Sequence, residues 1–254
     1  MLALLTPTIA CVLADHLNDA GRILEHAVAN RTAQTDARAH FIYREHMVHS
    51  NPDGHVNETQ DFEWIFLEGS PYRKLVAVKG KPLSGKAAKE EERKFQMTAV
   101  ERRADAQRHK PNPHIFSADI SPATVLRVMN HQVERTETLN GRPCWVIRSE
   151  PKPDFTATTN EEREAKAYRF TYWIDTDDEM IAQERYEIAG SGAQLLPGSS
   201  QTTTYTKIGD SVWLPNYREG EYTSGPPRPR GHWRQTHRFT DYRKFGSEAT
   251  VVFQ

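Results

Sequence analysis

Histidines, carboxylates and hydroxyls are the raw material of catalysis, and in this chain their spacing works against it. His46 and His49 stand three apart in a segment that alternates as a strand, which sends them to opposite faces and spoils them as a metal pair. His232 and His237 have the same parity fault. Eleven histidines without an accompanying acidic or cysteine cluster read mostly as surface residues. Glu45, Asp61 and Glu63 offer a carboxylate pair, yet strand alternation alone accounts for a polar face there. Ser191 and Ser211 sit beside glycine or aspartate in turns, without a nucleophile-elbow pattern. Asp175-Thr176-Asp177-Asp178 is acidic enough to attract calcium, but lacks the spacing and terminal glutamate of an EF-hand. These residues predict no enzyme, no metal site and no cofactor.

Cations and thiols point the same way. Arg102, Arg103, Arg108, His109 and Lys110 suggest a basic binding helix, but Glu90, Glu91, Glu92 and Glu101 balance them, and a solvated helix over 84–108 accounts for both sets. With 33 Lys+Arg against 34 Asp+Glu, nothing in the overall charge invites nucleic acid. Cys144 beside Trp145 reads as a small buried hydrophobe. Cys11 is the other cysteine, and Thr8-Ile9-Ala10-Cys11 offers a lipobox in which it would be lipidated, although threonine stands where leucine is usual.

The first 14 residues are apolar, too short to span a bilayer, and suit a secretory leader cleaved after Ala14. They lack the basic start such leaders carry, and an apolar helix packed on the core is the other reading. An exported, periplasmic protein with no transmembrane span is the expectation, with residues 15–254 as one domain. A protein anchored through Cys11 is its alternative.

The elements that must position any site are mostly strands. A helix is predicted over 17–30, then a strand from His40 to His49 and the turn Asn51-Pro52-Asp53-Gly54. Phe62, Trp64 and Phe66 alternate with Asp61, Glu63 and Ile65, and a second strand follows from Tyr72 to Val78. Ser121 caps a short helix opened by Pro122, and Asn140-Gly141 turns a hairpin between 132–139 and 144–149. Residues 151–164 read as a loop. Tyr168, Phe170 and Tyr172 line one face of the next strand, and further strands cover 180–188, 202–208, 212–214, 233–243 and 250–253. Pro226 to Gly231 is a stiff basic loop between them. Many hairpins, few helices and no strand–helix–strand alternation predict an α+β fold, a curved antiparallel sheet packed on helices.

The motifs EGSPYRKLVAVKGKPLS, YWIDTDDEMIAQERYEI and FTDYRKFG resemble those of exported bacterial proteins placed near the LolA-like group, the periplasmic carriers of outer-membrane lipoproteins and their relatives. Trp173-Ile174-Asp175 and Trp213-Leu214-Pro215 carry the same likeness, which covers most of residues 15–254. What the resemblance implies is an incomplete β-barrel, closed by helices over an apolar cavity that holds acyl chains. No family motif assigns individual ligand residues. The alternation itself puts Phe62, Trp64, Phe66, Tyr168, Phe170 and Tyr172 forward as cavity lining for a lipid or lipoprotein acyl chain. The competing reading makes them core filling. The other function class is an envelope interaction or sensor domain that touches a partner protein through a sheet edge or the Pro226–Gly231 loop.

Overall fold

The computed structural model describes residues 19–107, 120–190, 195–209, 212–226 and 229–244. The leader, the lipobox cysteine and the strand expected at 250–253 lie outside them, as do Pro227 and Arg228 of the basic loop. Helices α1 (Ala20–Ala33) and α2 (Thr35–Ala39) lead into strands β1 (Phe41–Ser50), β2 (Val56–Leu67), β3 (Ser70–Val78) and β4 (Lys81–Pro82). Helix α3 (Gly85–Gln107) and helix α4 (Pro122–Val128) precede β5 (Met129–Leu139) and β6 (Arg142–Pro151). Then come α5 (Asn160–Ala165), β7 (Tyr168–Asp175), β8 (Ile181–Ile188), β9 (Ser200–Ile208), β10 (Val212–Ser224) and β11 (Gly231–Lys244).

Among the described residues the strands pair antiparallel, in the order β8-β7-β6-β5 in one part of the chain and β4-β3-β2-β1-β11-β10-β9 in the other, so the architecture is α+β as the hairpin-rich sequence predicts. Local chemistry explains the hairpins. Glu68-Gly69, Lys79-Gly80 and Asn140-Gly141 all hold positive φ, the backbone that a tight two-residue turn between right-twisted strands demands. Pro82 falls on an edge strand, where its missing N–H costs no ladder bond.

Backbone contacts divide the chain into two compact units. One takes in the described residues up to Thr32 together with Ile120–Gly198, and the other takes in those of Ala33–Asp119 and Ser199–Gln254.

In the first unit, α1 buries Ile23, Leu24 and Ala27. It is tied down by Arg31 to Glu184 at 3.1 Å and by Asn30 Nδ2 to the Glu179 carbonyl at 3.2 Å. The expected loop at 151–164 contains α5, whose start was legible as a capping box: Thr159 accepts from Glu162 N, and Glu162 accepts from Thr159 N. Glu162 also takes Arg127 at 2.7 Å and so binds α5 to α4.

In the second unit, α3 lies on the sheet face that carries Leu67 and Tyr72, with Phe95 and Ala99 as its buried stripe. Arg102 donates from its guanidinium to the carbonyls of Leu67, Ser70 and Pro71, each at 2.9 Å, clamping α3 to the β2–β3 turn. Alternation puts Phe62, Trp64 and Phe66 on the opposite face from Leu67. The covering stripe on α3 therefore leaves the aromatic triplet to the other side.

Candidate ligand-binding face

Cross-strand register assembles the second unit's aromatic face. Tyr43 stands opposite Trp64, and Glu45 opposite Phe62 and Phe239. Met47 stands opposite His237, and Trp64 opposite Arg73. Directly opposed residues share a face, so one glutamate is set among rings. Glu45 is 2% exposed. The grouping of Glu45 with Asp61 and Glu63 on one polar face is therefore corrected. Asp61 and Glu63 are on the other side, pairing with His46 at 2.6 Å and Arg243 at 3.7 Å. Odd parity with Tyr43 and Met47 was the signal that placed Glu45 inward.

Four donors meet that carboxylate. Trp64 Nε1 donates to Oε2 at 2.6 Å and Arg73 Nε to the same oxygen at 2.7 Å. Arg73 Nη2 and His237 Nδ1 each reach Oε1 at 2.5 Å. Burial alone would push the carboxyl up. The bonds from His237 and Arg73, with the Arg73 charge and the Trp64 bond, more than offset it and hold Glu45 at about 2. Arg73 also lies 3.3 Å from the centroid of Phe62, a cation–π contact that fixes its plane. His237, read from sequence as a surface residue, is 7% exposed and buried beside Glu45. Its register with Met47 shows why: 233, 235, 237 and 239 form the inward series of β11.

Such a carboxylate is a fixed ionic pin. Both oxygens are spent on protein donors, which leaves it poorly placed to serve as a base. Around it the rings form a continuous layer. Tyr43 stacks on Trp64 at 5.8 Å and meets Phe239 edge-on at 6.0 Å. Burial pushes the Tyr43 phenol up to about 12, so it stays neutral. Phe62 is buried, while Trp64 and Phe66 are half-buried and present ring surface.

The β7 triplet stands in the first unit, in different surroundings. Tyr168, Phe170 and Tyr172 stack in file at 5.8 and 5.9 Å, and Tyr186 crosses edge-on to Tyr168 and Phe170. Phe170 and Tyr172 are each 7% exposed, and Tyr172 lies opposite Glu184, the residue that holds α1. Their rings are spent on one another.

Two other groups resemble chemistry. His131 Nδ1 lies 2.7 Å from Ser149 Oγ, but Ser149 is 0% exposed, which leaves it no face for a substrate. Asp175, also 0% exposed, accepts from Arg142 and from the backbone N–H groups of Asp177 and Asp178. It builds the β7–β8 turn at the acidic run that the sequence sets apart from an EF-hand. Among the described residues no group of three metal-ligating side chains is gathered. Cys144 is buried, and burial raises its thiol to about 11, far from reactive.

Solved structures match this chain at low similarity. A LolA superfamily protein from Nitrosomonas europaea matches at TM-score 0.36 and 12% identity, over 92% of this chain and 97% of that one. A DUF1329 family protein from Desulfovibrio piger matches at TM-score 0.39 and 12% identity, over 93% and 95%. A chain of the MucA/MucB complex from Pseudomonas aeruginosa matches at TM-score 0.26 and 12% identity, over 90% and 100%. No protein-family model and no curated protein matches the sequence. At such identities and scores, function has to be read from this chain's own residues.

Proposed function

We propose that this chain is a non-catalytic protein of the cell envelope that holds an acyl chain of a lipid or lipoprotein against the aromatic face of β1, β2 and β11. One observation carries the reading: Phe62, Trp64, Phe66, Tyr43 and Phe239 share a face with a carboxylate whose charge is neutralised internally. Burying charge is costly unless it is paired, so an apolar ligand covering this face meets no unpaired anion at its centre. Half-buried Trp64 and Phe66 supply the contact surface. The β7 triplet, already stacked and mostly buried, serves the packing of the first unit in this account. Export is part of the same proposal, since residues 1–14 are apolar and suit a secretory leader; among the described residues no helix is long and apolar enough to cross a membrane.

The test is an organic extract of the full chain, expressed in a diderm bacterium and purified without detergent from the periplasm. Mass spectrometry is expected to show a stoichiometric acyl lipid in the wild type and its loss in Trp64→Asp. A well-folded protein with an empty extract that also fails to take up added acyl chains would overturn the reading.

One observation favours a second reading, a protein partner. Met97 and Val100 on α3 are 49% and 63% exposed, a surface that contact with another envelope protein would cover. Hydrogen exchange that slows at α3 in envelope extract, with no lipid bound, would support it.

A further inference from the structure

Two arginines face the same side of the second unit's sheet, and their circumstances differ. Arg73 is bound through two of its nitrogens by Glu45. Arg218 on β10 pairs directly with His237 in register and with Thr203 of β9, which puts it on the same face two strands from Glu45. It is half-buried, yet no carboxylate among the described residues approaches it. Its one hydrogen bond runs from Nε to Thr203 Oγ1 at 3.3 Å, and its guanidinium carbon lies 5.8 Å from the centroid of Phe239.

The Nε side is held by a relay. Tyr222 Oη donates to Gln201 Oε1 at 2.9 Å, Gln201 Nε2 reaches Thr203 Oγ1 at 3.5 Å, and Thr203, 1% exposed, takes Arg218. Gly220 exists for this arrangement: a Cβ there would come within 2.2 Å of the Tyr222 hydroxyl. The relay orients the planar fork and, among the described residues, leaves Nη1 and Nη2 without a hydrogen-bond partner beside the aromatic layer. A partly desolvated guanidinium with its paired donors open calls for a planar anion that accepts two parallel bonds.

We infer that Arg218 binds the carboxylate head of a free long-chain fatty acid whose tail lies over Tyr43 and Trp64. This deepens the acyl-chain reading and rests on it. A single guanidinium matches a single negative charge, and its flat fork matches a carboxylate better than a tetrahedral phosphate. Gln201, Thr203 and Tyr222 act as positioning residues, through their hold on Nε.

The experiment titrates the delipidated full chain with palmitate, hexadecanol and hexadecyl phosphate, reading displacement of a fluorescent acyl probe. Wild type is expected to bind palmitate more tightly than hexadecanol. Arg218→Met is expected to weaken palmitate by about tenfold or more, the value of a charge-assisted hydrogen bond, and to leave hexadecanol unchanged. Near-ultraviolet circular dichroism identifies an Arg218→Met protein that has misfolded. In that case Thr203→Val, which keeps the charge but releases Nε, is expected to weaken palmitate alone by a smaller factor. Equal affinity for palmitate and hexadecanol would overturn the inference and leave acyl binding standing. Tighter binding of hexadecyl phosphate than of palmitate would overturn the carboxylate assignment. No binding of any of the three would overturn both this inference and the function on which it rests.

Discussion

The aromatic triplets on β2 and β7 look alike in sequence and differ in what stands across from them. Phe62 and Trp64 meet Glu45 and Arg73, so their rings serve an ion cluster: one is a cation–π partner and the other a hydrogen-bond donor. Tyr168, Phe170 and Tyr172 meet one another and Tyr186 in a ring stack, with Glu184 opposite Tyr172. One region specifies its geometry through directional bonds to a single carboxylate. The other does so through non-directional ring packing, which tolerates substitution. Alternating aromatics thus say that a face is inward, and only the neighbouring strands say what that face is for.

The largest effect should come from the pin. Glu45→Gln leaves Arg73 and His237 facing a neutral amide, and breaking a buried ion pair this way costs roughly 3–5 kcal/mol. Urea unfolding followed at Trp64 would measure it, and a loss below about 1 kcal/mol would show that the cluster contributes little. The same carboxylate predicts a pH signature. Its folded pKa, about 2, lies below the ordinary 4.5, so its contribution is complete above 4.5 and is lost as pH falls toward 2. Glu45→Gln should flatten that part of the stability profile. Phe170→Leu should leave the acid profile in place.

How far the sequence spoke is visible in these same residues. Hairpin positions, the α4 start at Ser121-Pro122 and the inward face of β2 were legible because turn dipeptides and period-two alternation are local signals. The strand expected at 212–214 extends through Ser224 as β10, past a proline and a glycine that locally disfavour a strand. Pro215 is taken up at a register irregularity, and Gly220 is roofed by Tyr222. Glu45 and His237 were misplaced for a different reason. They are 192 residues apart, and only the β1–β11 pairing reveals that each gives the other a buried hydrogen-bond partner. Arg218 was invisible as a candidate, since nothing local distinguishes an arginine with a carboxylate partner from one without.

Smaller effects sharpen the contrast. Gly220→Ala would force Tyr222 aside. Overpacking of this kind costs about 1–3 kcal/mol, and the Tyr222–Gln201 bond should be lost with it. A crystal structure of the variant with Tyr222 unmoved would contradict this. Phe170→Leu keeps an apolar side chain of similar bulk in the stack and should cost less than about 1.5 kcal/mol by thermal unfolding. A cost matching that of Glu45→Gln would erase the distinction between the two regions. Thr159→Ala removes the cap of α5 and should cost about 1 kcal/mol, with faster amide exchange confined to the first turn of that helix.

In the function proposed above, the β2 face, and not the β7 stack, receives the acyl chain. Quenching of tryptophan fluorescence by a brominated acyl chain tests it most directly, because bromine quenches only rings it touches. Saturable quenching is expected in the wild-type chain, most of it lost in Trp64→Phe, with an unchanged titration in Phe170→Leu. Quenching that survives Trp64→Phe in full and falls in Phe170→Leu would place the ligand at the other triplet and contradict the account.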